Sequence, residues 1–355
     1  MAPMSGERGE ENSAVEVRGD TLPHRPKLTH HRLEIDEQLL PLRTDSESSE
    51  KANGMGGGGG EGVINPQRGK TVAAFGVILI AGFFNFFLLT VVHDVVPRTP
   101  LPDLFFMLVP QQPWAAPAGD VAAAISIAIT FSLMLLHKYR WLVFRRLFLI
   151  AGFCYALRAT VLAVTFLPPS FENHTAICFP AERKVEFWNI LLRFRDYVLT
   201  LGLTSQEGKI LCGDLMFSGH TISLALMYFV VCRYTPRRCW AVRWTLMPIA
   251  FFGMAAMVLS GGHYTMDVLI GYWISSHVFW AYHQVFEGPK AGREKSAASA
   301  LWWFWISVWF EEGAAPEGRL PNDLEWPLPW PAAAGQAVER LSRHLNAPDT
   351  PLLPT

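Results

Sequence analysis

Six apolar segments separated by more polar stretches constrain what this chain of 355 residues can fold into. Half of the chain is hydrophobic and only 17% is charged, a balance typical of polytopic membrane proteins. Because lipid offers no partner to backbone N–H and C=O groups, such segments predict membrane-spanning helices. The sequence therefore predicts an all-α polytopic membrane protein, a bundle of six transmembrane helices. The segments are 72–92, 121–136, 147–167, 215–232, 244–260 and 266–282.

The two ends of the chain differ from this apolar middle. Residues 1–66 are rich in Ser, Glu, Arg and Gly and predict a disordered cytosolic tail. Residues 67–285 form the predicted six-helix transmembrane domain. Residues 286–355 predict a second cytosolic tail, in which LWWFWISVWF indicates a short interfacial aromatic helix.

Lysine and arginine are unevenly distributed among the loops. The second and fourth loops and both flanks of the apolar region are basic, whereas the fifth loop, SGGHYT, has no basic residue. By the positive-inside rule, both termini are cytosolic and the odd-numbered loops lie on the lumenal or exoplasmic face. The third loop also contains basic residues, but it is long, and long loops weigh less in this rule.

Polar residues occur near the starts of the fourth and sixth segments, which lie on the same predicted face. His220 follows Ser218 and Gly219 in CGDLMFSGHT, and His263 lies four residues before Asp267 in GGHYTMD. Ionisable groups in a membrane need a partner or a function. A spacing of four residues on a helix predicts that the Asp267 carboxylate accepts the Nδ1–H of His263 and leaves Nε2 nucleophilic.

These residues together indicate phosphoryl transfer. His220 could exchange a proton with a leaving or attacking oxygen, and N–H groups near Ser218 and Gly219 could approach a phosphate. Each motif alone is equally compatible with helix packing, but the two motifs together favour catalysis. This chemistry predicts no metal and no cofactor, and the five cysteines show no CxxC spacing. A net charge of -1 gives no reason to expect a nucleic-acid partner.

CGDLMFSGHT and HYTMDVLIGYW resemble the signature motifs of the sphingomyelin synthase family, membrane relatives of the lipid phosphate phosphatases. PLPDLFF at 100–106 and RRLFLIAGFCYALRATVLAVTFLPP at 145–169 resemble two further family motifs. The resemblance implies a lipid phosphatase-like core and a phosphatidylcholine:ceramide cholinephosphotransferase that forms sphingomyelin and diacylglycerol. It implies a catalytic triad of His220, His263 and Asp267, with a phosphohistidine on His263. The implied partners are ceramide and a glycerophospholipid in the membrane.

Three further polar residues are predicted to support the triad. Glu186 is the best match for a family acidic residue, with a solvated loop charge as the alternative. Arg158 lies within the third segment and needs a partner, which could be Asp103, Asp214 or a lipid phosphate. Asp214 is expected to cap the fourth segment in a mainly structural role.

The third loop has two features that suit a lumenal location. Cys178 and Cys212 could form a disulfide there or remain free thiols. Asn173 begins an N-glycosylation sequon close to the end of the third apolar segment.

Several alternatives remain open from the sequence. Relatives that transfer ethanolamine or inositol head groups share the triad, and water as acceptor would give a phospholipase C-type hydrolase. A transporter or channel should show an internal repeat, which the sequence lacks. The location is expected to be the Golgi or plasma membrane, with the endoplasmic reticulum as the alternative. A homodimer or higher oligomer is compatible with the sequence.

Overall fold

The computed structural model describes residues 67–171, 174–180, 187–199, 210–313, 319–327 and 339–344. The predicted N-terminal tail, 1–66, lies outside these residues. The described chain is helical, and its β-structure is confined to isolated bridges. The helices are α1 (Arg68–Val95), α2 (Leu104–Leu108), α3 (Ala115–Leu136), α4 (Arg140–Val164), α5 (His174–Ile177), α6 (Phe187–Leu199), α7 (Gly219–Tyr234), α8 (Trp240–Leu259), α9 (Thr265–Glu287) and α10 (Phe304–Glu311).

The six predicted apolar segments correspond to α1, α3, α4, α7, α8 and α9. Four helical stretches are long and apolar enough to cross a membrane: α1, α3, α4 and Arg237–Leu259, which contains α8. This finding confirms the helical class and indicates a membrane protein. Helix α7 has only 16 residues, and α9 is interrupted by polar side chains. The count of six membrane spans therefore stays a prediction.

The long helices form a bundle in which sequence neighbours run in opposite directions. Helix α1 packs along α4, α3 packs against α7 and α8, and α9 packs against α7. Backbone N–H of Gln112 donates to the carbonyl of Leu259 (2.9 Å), and that of Ser218 donates to Asp267 (3.2 Å). The starts of α3, α7 and α9 and the end of α8 therefore meet at one end of the bundle, which we call the histidine end.

A glycine lets α9 approach the first turn of α7 closely. A Cβ added to Gly271 would lie 3.2 Å from Cβ of Thr221 and 3.4 Å from the carbonyl oxygen of Ser218. Only a residue without a side chain allows this backbone approach without displacement. The contact brings the segments that hold the two histidines side by side.

Helix α6 was not predicted from the sequence, which indicated only a long loop between the third and fourth segments. The helix packs against α1 through an edge contact of the Tyr197 and Phe86 rings, 5.0 Å apart. Arg193 pairs with Asp94 of α1 at 2.8 Å. This ion pair gives a partner to one of the basic residues that disagreed with the charge distribution.

The aromatic segment near residue 300 forms α10, which packs into the opposite end of the bundle. The buried Glu311 carboxylate accepts two hydrogen bonds from Arg146 of α4, at 2.7 and 2.8 Å, and one from Tyr282 at 2.9 Å. Burial disfavours the charged carboxylate, but the Arg146 guanidinium outweighs it and lowers the pKa of Glu311. The predicted tail therefore includes a segment that neutralises a buried arginine.

We expect Glu311→Gln to destabilise the protein by about 3 kcal/mol, because Arg146 would lose two short hydrogen bonds to a carboxylate and keep only Glu287, at 3.4 Å, as an anionic partner. The adjacent exposed residue provides the control Glu312→Gln, which should shift the unfolding temperature little. A carboxyl with a lowered pKa stabilises the fold above its unfolded pKa and loses this effect as pH falls. The stability difference between wild type and Glu311→Gln should thus narrow below about pH 4. Equal unfolding temperatures for Glu311→Gln and Glu312→Gln would contradict the role of Glu311.

Candidate active site

The two candidate histidines lie next to each other at the histidine end of the bundle. His220 is the second residue of α7, and His263 lies in the loop two residues before α9 begins. Their ring centroids are 6.4 Å apart. The prediction that His263 and Asp267 share one helix face was wrong, because α9 starts only at Thr265. The structure nevertheless places His220 and His263 next to each other, as the sequence predicted.

Ser218 fixes the start of α7. Its side-chain oxygen accepts the backbone N–H of Thr221 (3.2 Å), and its own N–H donates to the Asp267 carbonyl (3.2 Å). Ser218 is thus the N-cap residue, and the fourth apolar segment becomes helical four residues later than predicted. Gly219 and His220 line the adjacent cavity, and first-turn N–H groups such as theirs have no acceptor within the helix. They can therefore donate to an anion.

Asp267 is buried beside His263 but does not make the predicted hydrogen bond. Its carboxylate lies 3.8 Å from His263 Nδ1 and accepts the backbone N–H of Tyr264 instead (3.1 Å). His263 is 6% exposed, and its Nδ1 has no hydrogen-bond partner among the described residues. Buried polar atoms without a partner are rare in proteins and are found at functional sites. The 3.8 Å separation still allows Asp267 to stabilise positive charge on the ring.

Arg158 joins α4 to the loop that precedes α7. Its guanidinium donates to the Phe217 carbonyl (2.8 Å), to Asn85 Oδ1 on α1 (2.8 Å) and to the Asp214 carboxylate. Among the three partners that the sequence left open, the structure pairs Arg158 with Asp214. Asp214 is not the helix cap, since Ser218 has that position.

The charge of Asp214 depends on this pair. Burial opposes ionisation, but the Arg158 guanidinium outweighs it and holds the pKa of Asp214 below its ordinary value. The side chain remains 43% exposed toward the cavity. Asp214 therefore helps to hold the loop before His220 through its pair with Arg158.

Asp103, the acidic residue of PLPDLFF, anchors the start of α9. Its carboxylate accepts the backbone N–H of Phe105 (2.8 Å) and both the N–H and the hydroxyl of Thr265 (2.9 and 3.0 Å). Burial raises the pKa of Asp103, but these hydrogen bonds outweigh it and leave the pKa lowered. Sequence reasoning missed this role, although the motif itself was the available signal.

Tyr264 links the loop of His263 to two other loops. Its hydroxyl accepts the backbone N–H of Leu101 (2.8 Å) and donates to the Pro168 carbonyl (3.2 Å). Because its neighbour His263 lies outside any helix, these contacts provide the support that a helix would otherwise give.

Asp120 is a second acidic residue that the sequence analysis missed. Its Oδ1 lies 3.2 Å from Nε2 of His220. The signal was present in the sequence, because Asp120 is the only charged residue of the apolar helix α3. An isolated charge in such a helix points to a functional site.

A disulfide joins Cys178 to Cys212, directly before the loop that Arg158 holds. The backbone N–H of Cys212 also donates to His93 Nδ1 of α1 (2.9 Å). Gly213 follows with φ of +112°, a backbone conformation that favours glycine. Two predicted residues of this region, Glu186 and Asn173, lie outside the described residues.

The histidines line a cavity of about 1940 Å³. Its polar end includes His220, His263 and Asp120, and its walls continue to Phe131 of α3 and Phe148 of α4. Phe131 lies eleven positions after Asp120 on α3, a depth of about 16 Å. The volume is roughly twice that of large small-molecule pockets, about 1,000 Å³. Such a cavity can hold long apolar chains with a polar group beside the histidines.

No group of three or more His, Cys, Asp and Glu side chains is arranged to hold a metal ion within the described ranges. The prediction of a metal-free reaction stays a prediction.

Comparison with known proteins places this arrangement in a superfamily. Residues 211–284, which include His220, His263 and Asp267, match the family model described as PAP2 superfamily C-terminal. The chain is 49% identical to phosphatidylcholine:ceramide cholinephosphotransferase 2 of Caenorhabditis elegans over 88% of its own length and 92% of the relative. It is 30% identical to phosphatidylcholine:ceramide cholinephosphotransferase 1 of Homo sapiens over 78% of its length and 68% of the relative.

The segment that holds the two histidines is thus a PAP2-type domain. Within that class, the extent and identity of these matches show that the chain belongs to the sphingomyelin synthase family.

We expect Arg158→Gln to lower the free energy of unfolding by about 2 kcal/mol or more. The change leaves the Asp214 carboxylate without a cation, and the partial exposure of Asp214 keeps the cost below that of a fully buried pair. Arg195→Gln is the control, since Arg195 is exposed and pairs with the neighbouring exposed Asp196. Thermal unfolding in detergent measures both variants. If Arg158→Gln unfolds at the temperature of the control, the loop does not depend on this pair.

Proposed function

We propose that this protein transfers phosphocholine from phosphatidylcholine to the primary hydroxyl of ceramide, forming sphingomyelin and diacylglycerol. The observation that carries this proposal is the pair of histidine rings, 6.4 Å apart, at the polar end of a deep apolar cavity. A phosphorus atom between the rings would be within reach of both, while the acyl chains occupy the apolar part. The names of the relatives support choline as the head group and ceramide as the acceptor.

The first half-reaction forms a covalent intermediate on His263. Its Nε2 attacks phosphorus, the bond between phosphorus and the glycerol oxygen breaks, and that oxygen takes a proton from His220. Diacylglycerol leaves and phosphocholine stays on His263. Asp267, 3.8 Å from Nδ1, stabilises the positive charge that develops on the His263 ring.

The second half-reaction reverses these roles with a different alcohol. His220, now unprotonated, accepts the proton of the ceramide hydroxyl as its oxygen attacks phosphorus. The bond between phosphorus and His263 Nε2 breaks, and sphingomyelin is released. The N–H groups of Gly219 and His220 at the start of α7 are suited to stabilise the phosphoryl oxygens in both steps.

The two lipids would reach the histidines from the membrane. Helix α1 packs on α4, and α3 packs on α7 and α8, while both α1 and α3 line the cavity. A passage between α1 and α3 would let a lipid enter sideways with its acyl chains in the apolar part. The distribution of basic residues supports six spans with the histidine end on the lumenal or exoplasmic face. Golgi and plasma membrane are the proposed locations.

Purified protein with fluorescent ceramide tests this function directly. Phosphatidylcholine, phosphatidylethanolamine and phosphatidylinositol are supplied separately, with chelator present. We expect sphingomyelin and diacylglycerol in equal amounts from phosphatidylcholine. His263→Ala should give no product. His220→Ala should form sphingomyelin about 10²–10⁴-fold more slowly than wild type, which is the usual contribution of an acid–base group. Asp267→Asn should also be slower than wild type.

His277→Ala is the matched control, because His277 lies exposed on α9, away from the cavity lining. It should keep wild-type activity. Diacylglycerol without a sphingolipid product would identify water as the acceptor and contradict the transferase. A product from another donor alone would contradict choline as the head group. Activity in His263→Ala would contradict the nucleophile.

A further inference from the structure

Helix α3 contains one charged residue, and the structure places it against a catalytic histidine. Asp120 lies in the second turn of a helix of 22 residues that is otherwise uncharged. Its side chain is 66% exposed and lines the cavity. A carboxylate without a structural contact is costly in an apolar helix, so its position calls for a function.

The contact of Asp120 is specific to one nitrogen of His220. Oδ1 lies 3.2 Å from Nε2, which is hydrogen-bonding distance for an N–H donor and a carboxylate. The other histidine has the reverse arrangement, since Asp267 lies on the Nδ1 side of His263 at 3.8 Å. The two carboxylates therefore leave opposite ring nitrogens available, Nε2 on His263 and Nδ1 on His220.

Other acidic groups of this region have cationic partners of their own. Asp214 pairs with Arg158, and Asp94 pairs with Arg193. The ion pair of Asp120 within the described residues is the one with His220. Asp214 also interacts with both histidines through its charge, but Asp120 is the carboxylate in direct contact with His220.

We propose that Asp120 is the positioning residue of His220: it accepts the Nε2–H, fixes the tautomer and orients Nδ1 toward the reacting oxygen. This inference rests on the proposed function of His220 as acid and base. Orientation of an imidazole by a carboxylate on the far nitrogen is what makes the near nitrogen an efficient proton carrier.

The proton balance of each step follows from this arrangement. When the bond from phosphorus to the glycerol oxygen breaks, the proton moves from His220 Nδ1 to that oxygen, and the Nε2 proton stays with the Asp120 pair. When ceramide attacks, its hydroxyl proton moves to Nδ1, and the ring becomes cationic beside the carboxylate. Asp120 itself gains and loses no proton.

A donor with sulfur in place of the glycerol oxygen that links to phosphorus tests this role. Its leaving group is a thiolate, which departs without a proton, so the first half-reaction no longer needs the acid His220. Release of diacylglycerol or its thiol analogue is followed by mass spectrometry during the first turnover, without ceramide. The variants are Asp120→Asn, Asp120→Glu, His220→Ala and His263→Ala. Glu339→Gln is the control, because Glu339 has the same 66% side-chain exposure and pairs with Arg343 outside the cavity.

We expect Asp120→Asn to slow release from the oxygen donor at least about tenfold, part of the 10²–10⁴-fold contribution of the acid. The amide can also donate to Nε2 and so select the wrong tautomer. With the sulfur donor, Asp120→Asn and His220→Ala should both react within about twofold of wild type, while His263→Ala stays inactive. Asp120→Glu should recover part of the rate, and Glu339→Gln should match wild type with both donors.

Three results would overturn the proposal. If Asp120→Asn loses the same fraction of the release rate with the oxygen donor and with the sulfur donor, Asp120 supports the fold or binds substrate. A higher KM for phosphatidylcholine at unchanged kcat, without the same effect for phosphatidylinositol, would mean that it binds the cationic head group. If Asp120→Asn releases product from the oxygen donor at the wild-type rate, His220 does not need Asp120.

The same experiment separates this inference from the proposed function. A variant that releases product from the sulfur donor is folded and has a reactive His263. If wild type releases diacylglycerol but makes no sphingomyelin, the acceptor is wrong, while the comparison of oxygen and sulfur donors still tests Asp120.

Discussion

The need of Arg158 for partners is the constraint on which the site depends. A guanidinium inside a bundle of apolar helices is costly unless its donors are satisfied. Its three contacts, to Asn85, Asp214 and the Phe217 carbonyl, tie α1 and α4 to the loop that ends at the cap of α7. The position of His220 thus follows from a buried charge together with the Cys178–Cys212 disulfide at the start of the same loop.

The second histidine, His263, lies in a loop and is positioned by hydrogen bonds between loops rather than by a helix start. Asp103 binds Thr265, Tyr264 binds two neighbouring loops, and Asp267 accepts the N–H of Tyr264. These hydrogen bonds hold the residues that follow His263, but its Nδ1 has no partner among the described residues. One histidine is therefore set by a helix start and the other by a network of loops, which lets both face one cavity. The two rings present opposite nitrogens to carboxylates, which suits an attacking group and a proton carrier.

The sequence predicted the helices well because apolar length is a strong signal, and α1, α3, α4 and α8 match it. It predicted the pair of His220 and His263 because two polar motifs had to meet on one face. It failed where tertiary contacts decide. The start of α7 depends on Ser218, and the helix placement of His263 was wrong because α9 begins at Thr265. The isolated charge of Asp120 was a signal in the sequence, but the local pattern does not show which side chain of another helix Asp120 faces.

The stereochemistry at phosphorus tests the central claim, that phosphocholine passes through His263, most directly. A phosphatidylcholine analogue with one non-bridging oxygen replaced by sulfur is chiral at phosphorus, and the sphingomyelin formed from it keeps that label. Each in-line displacement inverts the configuration, so two displacements through a phosphohistidine predict net retention. ³¹P NMR of the product distinguishes the two diastereomers. Inversion would mean that ceramide attacks the phospholipid directly and would contradict a covalent intermediate on His263.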